Sequence, residues 1–158
     1  MRIVEEKIYL FQELDESAKE RAREWYREGM EYWWWDDAFN SIKKFAEHFN
    51  IGIKRYEVAP FHRSWMTTSA EGQHFRGLKL KDFDPDKMQK GYYLDFDLWR
   101  EFYDVWKDSG DPLEAFSSAI DGATMSIQKD WEYQYTDESV DENITINEYE
   151  FTEDGTRY

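Results

Sequence analysis

The residues of this 158-residue chain that could do chemistry are three histidines, His48, His62 and His74, and a surplus of carboxylates. His62 and His74 flank a stretch that reads as a hairpin. With Asp36 or Asp37 they could form a His/carboxylate metal site, which would make the chain a metal-binding enzyme. Nothing in the spacing demands that arrangement. His48 falls late in a helical pattern, on its polar side, where it would be solvated. Neighbouring acids such as Asp36-Asp37, Asp95/Asp97 and Asp137-Glu138 could act as acid and base only in two different environments. Among 35 acids such pairs arise by chance. A Gly-rich phosphate loop, a Gly-x-Ser-x-Gly elbow and a His-Glu-x-x-His pair are all missing. Without cysteine there is no thiolate zinc site and no disulfide. The expectation is a protein that is not an enzyme and carries no cofactor.

Binding chemistry is better represented. The run Tyr32-Trp33-Trp34-Trp35-Asp36-Asp37 places three indoles in a row. On a helix, three successive residues sweep about 200° of surface, so one buried stripe cannot hide them all. Trp35 falls on the stripe that continues through Phe39 and Ile42. Trp33 or Trp34 is therefore expected to be exposed or covered by another element. Exposed Trp beside Asp36 and Asp37 would suit an arginine-bearing partner.

Net charge is −15, from 20 Lys and Arg against 35 Asp and Glu. Residues 1–129 carry −6 of it, and residues 130–158 carry −9, with Arg157 as their one base. Such a balance disfavours direct binding to a phosphate backbone. The acidic segment could be a solvated face that keeps the protein soluble, or a surface steered towards a basic partner. Its carboxylates Asp137, Glu138, Asp141, Glu142, Glu148, Glu150, Glu153 and Asp154 are the candidates for the second role. No apolar run approaches the ~20 residues that span a bilayer. Met1-Arg2-Ile3-Val4-Glu5-Glu6 lacks the apolar core of a signal peptide, so a cytoplasmic setting is expected.

The elements that must position these residues read as follows. Residues 3–11 suggest a first strand. Asp15 can cap a helix from Glu16 to Glu28, stopped at Gly29, with Ala18, Ala22, Trp25 and Tyr26 inward. Its Glu20/Glu24 and Arg23/Arg27 suit an exposed, salt-bridged face. A second helix fits residues 31–49, and Ile51 to Val58 looks like a strand. Residues 61–80 read as one or two strands turning near Glu71-Gly72. A helix follows over 95–108, stopped at Gly110. Asp111-Pro112-Leu113-Glu114 then starts a long helix reaching Trp131, and Thr136 caps a short one. The tail alternates around Asp154-Gly155 as a hairpin would. The class is α+β: a small antiparallel sheet packed against about four or five helices, in a single domain over 1–158. Its 30 aromatic residues, 19% of the chain, would supply most of the core.

Two stretches also carry a resemblance. They are Phe11-Gln12-Glu13-Leu14-Asp15-Glu16-Ser17-Ala18-Lys19-Glu20-Arg21-Ala22-Arg23-Glu24-Trp25-Tyr26-Arg27, followed by Trp33-Trp34-Trp35-Asp36-Asp37, and the closing Asn147-Glu148-Tyr149-Glu150-Phe151-Thr152-Glu153-Asp154-Gly155. They resemble the two ends of a family of small acidic phage and prophage proteins, some described as antitoxin-like. The middle departs from it. Where relatives carry a Gly/Asp-rich hairpin, this chain has Trp65-Met66-Thr67-Thr68-Ser69-Ala70-Glu71-Gly72-Gln73-His74-Phe75. The resemblance implies a mobile-element setting and carries over no catalytic residue.

The leading expectation is a phage-type binding protein acting in the host cytoplasm. It would inhibit a host nucleic-acid-binding defence complex, in the manner of an anti-CRISPR or antirestriction protein, with DNA mimicry as one route. The acidic segment would occupy a basic protein surface, with Trp33, Trp34, Asp36 and Asp37 as further contacts. No membrane and no nucleic acid would be bound directly. Neutralising Glu138, Asp141 and Glu142 should then weaken binding and spare the fold. The alternatives are an antitoxin-like protein that masks a toxin, the His/Asp metal enzyme, and an accessory protein whose acidity serves only solubility.

Overall fold

The computed structural model describes residues 1–158. In chain order the elements are β1 (Tyr9–Leu10), α1 (Glu16–Glu28), α2 (Trp35–His48), β2 (Ile53–Glu57), β3 (Trp65–Thr68), α3 (Pro85–Met88), α4 (Asp95–Ser109), α5 (Pro112–Gln134), α6 (Asp137–Ile146) and β4 (Glu150–Phe151). Short 3₁₀ turns occupy Phe11–Glu13, Gly72–Phe75 and Leu80–Asp82. The class is α+β, with six helices and two separate two-stranded antiparallel pairs, β1–β4 and β2–β3. The residues group into two compact units. A two-segment unit combines Met1–Glu31 with Glu132–Tyr158, and a central unit holds Tyr32–Trp131.

In the two-segment unit, α1 starts where its cap dictates. The Asp15 carboxylate accepts from the Ala18 amide at 2.8 Å, which satisfies one of the free first-turn donors. Thr136 does the same for α6 through the Ser139 amide at 3.3 Å. Phe11, Leu14, Ala18, Ala22, Val140, Ile144 and Phe151 form the buried core. Trp25 closes it, set edge-on to Tyr149 and Phe151 at 5.3 and 5.8 Å. Phe151 pairs with Tyr9 across β1–β4 and again with Arg157, so the tail turns back on itself as expected. The turn lies at Gly155, where φ is +86°. A Cβ built there would sit 2.0 Å from the Ala18 carbonyl oxygen. Only a residue without a side chain lets the hairpin backbone approach α1 this closely.

The central unit is built around aromatic rings. Phe45 of α2, Phe102 of α4 and Phe116 of α5 are fully buried. Phe102 alone meets Phe45, Phe49, Phe75, Phe83, Trp99 and Trp106 with ring centroids 5.1–6.3 Å apart. Mixed edge-on and tilted geometries are what ring quadrupoles favour, and they let many rings share a small volume.

Two expectations need correction. The first strand is confined to Tyr9–Leu10, and Ile3 and Val4 are exposed. No partner strand lies beside residues 3–8 to hold them extended. The second helix starts at Trp35 rather than residue 31, and Trp33-Trp34 form a turn ahead of it. Residues 61–80 hold one strand, β3, and turn as expected at Gly72–Phe75, a 3₁₀ turn whose His74 Nδ1 accepts from the Glu71 amide.

Candidate partner-binding surfaces

The two-segment unit holds seven bases against eighteen acids, a net charge of −11, and the central unit holds −4. The concentration of charge therefore follows the fold, and residues 1–31 share it with the acidic tail segment.

Not all of those acids are free. Arg23 of α1 reaches across to α6 and grips Asp141 with two parallel bonds, Nε to Oδ1 at 2.7 Å and Nη2 to Oδ2 at 2.8 Å. It also bonds Glu20 at 3.1 Å, and its guanidinium lies over the Phe11 ring. The bond to Asp141 is the main reason this guanidinium is held above its ordinary pKa, against the cost of its burial. Arg27 pairs with Asp137, and its Nε donates to the Tyr135 carbonyl at 3.0 Å. Arg21 pairs with Asp154 at 2.9 Å. Three of the eight proposed acidic contacts, Asp137, Asp141 and Asp154, are thus bound to arginines of α1. Asp141 in particular helps hold α6 on α1, so neutralising it does not spare the fold. Arg23→Ala removes a side chain that is only 12% exposed and strands a carboxylate that is 33% exposed. Because Asp141 keeps part of its hydration, the loss should be about 2 kcal/mol, short of a fully buried pair. A double-mutant cycle with Asp141→Ala in urea measures it.

Asp154 also organises the tail turn. Its carboxylate accepts from Thr152 Oγ1 at 2.7 Å and from the Thr156 amide at 3.0 Å. These bonds, Thr152 first, with help from Arg21, lower its pKa to about 2. The ionised form is the one the fold favours. Its contribution is complete above the ordinary carboxylate value and is lost as pH falls through about 2. Amide exchange at Thr156 and Gly155 should therefore accelerate as pH falls from 4 to 2, relative to other hairpin amides. Asp154→Asn should flatten that difference.

The remaining five carboxylates, Glu138, Glu142, Glu148, Glu150 and Glu153, are exposed and take part in no side-chain hydrogen bond or ion pair. Glu138 and Glu142 lie four apart on α6 and share one side of it. Glu150 points away from the core that its neighbour Phe151 fills. Glu153 joins Asp15, Glu20, Glu24, Arg21 and Asp154 around an open groove of about 560 Å³.

The aromatic run resolves differently. Trp33 is 81% exposed and Trp34 49% exposed, so both indoles face solvent, while Trp35 packs against Phe39. Tyr32, which precedes them, is buried. Its hydroxyl donates to Asp130 at 2.7 Å, and its ring stacks on Trp131. Burial, then the Asp130 bond, pushes this phenol well above its usual pKa, so it is fixed as a donor. Asp36 and Asp37 are exposed in the first turn of α2, where they also complement the helix dipole.

The metal reading finds no assembly. No group of three or more His, Cys, Asp or Glu is placed to hold a metal ion. His62 is exposed and His74 serves its own turn. His48 is exposed on the polar side of α2, as its position suggested. Its ring lies edge-on to Phe49 and Trp99 at 5.0 and 5.1 Å. Burial, then Lys90, lowers its pKa below the ordinary imidazole value. Sequence reading missed Tyr93, which stacks on Trp34 from 59 positions away, and no local pattern marks that pair.

No helix is long and apolar enough to cross a membrane. Comparison with family models, with curated proteins and with solved structures gave no match to this chain.

Proposed function

We propose that this protein acts by binding, without catalysis, and that it blocks a cationic, nucleic-acid-handling surface of a host defence complex in the cytoplasm. The observation that carries the reading is the set of five exposed carboxylates left unpaired after the α1 arginines are satisfied. A protein that used acid only for internal ion pairs would have no need of them. Glu138, Glu142, Glu148, Glu150 and Glu153 would take places that phosphates otherwise fill, and the −11 of their unit would speed encounter with a basic face. The setting is suggested by the resemblance of Phe11–Arg27 with Trp33–Asp37, and of Asn147–Gly155, to phage proteins; the first and last of these stretches lie in this unit and Trp33–Asp37 in the central one.

The test is affinity capture from host lysate followed by titration of the captured partner. Replacing the five glutamates with glutamine removes charge and keeps shape. If each is worth the ~0.2–1 kcal/mol of an exposed charge pair, the combined variant should bind about fivefold or more weakly. Its unfolding free energy should stay within about 1 kcal/mol of wild type, because Glu138 gives up only its favourable place in the first turn of α6 and the other four make no side-chain bond. Equal affinity for both proteins would remove the acidic surface from the account.

A further inference from the structure

We infer that Trp33, Trp34 and Tyr93 form a docking ledge for an arginine side chain of a protein partner. This rests on the reading of the chain as a partner-binding protein and names the chemistry of a second contact, in the central unit.

The ledge is assembled by the backbone. Ser41 is fully buried, donates to the Asp37 carbonyl at 2.9 Å and accepts from the Leu94 amide at 3.0 Å. That one hydroxyl fastens the start of α2 to the turn that enters α4. The buried Asp95 carboxylate fixes the turn itself, accepting from the amides of Lys90 at 2.6 Å and Tyr92 at 3.0 Å. Tyr93 is thereby laid on Trp34, with centroids 5.8 Å apart and planes within 10° of parallel. Both rings remain 49% exposed, and Trp33 beside them is 81% exposed. Contiguous exposed aromatic surface is a mark of an interaction site.

Charge says what covers them. Asp36, Asp37 and Asp97 are exposed and form no ion pair. Asp37 and Asp97 stand in the first turns of α2 and α4, the helices that Trp34 and Tyr93 lead into; burial first, and then Asp130, Asp37 and Asp97, raise the pKa of the Tyr93 phenol. A flat aromatic surface fringed by carboxylates is complementary to a flat cation. Guanidinium can stack on an indole while its edge N–H groups reach a carboxylate, whereas an ammonium offers no plane to stack. A second copy of this chain is a poor occupant, since it would bring the same carboxylates and a net charge of −15. A purely apolar segment would leave the carboxylates desolvated and unpaired.

The probes are three blocked tripeptides, acetyl-Gly-Arg-Gly-amide and its Lys and Leu counterparts, titrated into the ¹⁵N-labelled full chain. The readouts are the indole N–H signals of Trp33 and Trp34. The arginine peptide should shift them saturably, with at least fivefold tighter binding than the lysine peptide, and the leucine peptide should do less. Tyr93→Ala and the Asp37→Asn/Asp97→Asn pair should each weaken the arginine response threefold or more, in proteins that remain folded, the pair losing only the ~0.3–1 kcal/mol that each first-turn carboxylate gives its helix. Ser41→Ala should weaken it too, by releasing the turn, with both aromatic rings still present. Indole signals that ignore arginine, or that answer leucine equally, overturn the ledge. If arginine shifts only amides around Glu138 and Glu153, the ledge falls while the acidic surface stands. If the ledge responds but the five-glutamine variant keeps full affinity for the captured partner, the acidic surface falls and the ledge stands.

Discussion

Gly155→Ala should cost about 3–5 kcal/mol of unfolding free energy, summing left-handed strain of ~1–2 with a severe overpacking penalty. The new methyl would lie 2.0 Å from the Ala18 carbonyl oxygen and 2.7 Å from its carbon, both backbone atoms inside a helix. Neither can swing aside as a side chain would. The hairpin must lift, and with it goes the Thr152–Thr156 backbone pairing and the Arg21–Asp154 bridge. Gly110→Ala is the control. Its φ is +72°, close to that of Gly155, yet nothing lies within 4 Å of the added atom. It should cost only the ~1–2 kcal/mol of left-handed strain. Urea titration of both variants separates clash from conformation. Equal losses would show that hairpin and helix do not approach as described.

Phe102→Ala should cost a further class of stability, about 3–5 kcal/mol, with a fall in Tm of roughly 10 °C. Phe102 is fully buried and touches six other aromatic rings drawn from α2, α4 and the connecting segments. Those rings are too large and too constrained by one another to collapse into the space, so the cavity term should stay near its upper range. Phe102→Leu keeps much of the volume and should lose less than half as much. Near-equal losses for the two variants would mean that ring geometry, and not volume, decides the site. A loss below about 1 kcal/mol for Phe102→Ala would contradict the packing itself.

What could be read from the sequence follows where local physics decides. The helix from Glu16 to Glu28 was legible because Asp15 caps it and Gly29 ends it. The same holds for α5, whose start is written in Asp111-Pro112, and for α6 behind Thr136. The start of α2 was not legible, because Trp34 stands at the cap position with no side-chain oxygen to mark it. Over residues 61–80 the choice between one strand and two stayed open, because 3₁₀ turns leave no hydrophobic period to count. The site suffered more. Charge counting found the acidic segment, and helical spacing found the local Glu20–Arg23 pair. Neither could show that Arg23 takes Asp141, 118 positions away, because that choice is made by the packing of α1 on α6. The same limit hid Tyr93 from Trp34. Three carboxylates that looked alike in sequence to their neighbours are therefore structural, and five are free to meet a partner.

The measurement that bears most directly on the central claim is competition. The captured host partner, loaded with labelled nucleic acid, is titrated with this protein at low and at physiological salt. The account predicts full displacement of the nucleic acid, an affinity that falls steeply as salt rises, and a displacement curve shifted about fivefold or more for the five-glutamine variant. A stable ternary complex of partner, nucleic acid and this protein, unchanged by salt or by the five substitutions, would contradict it.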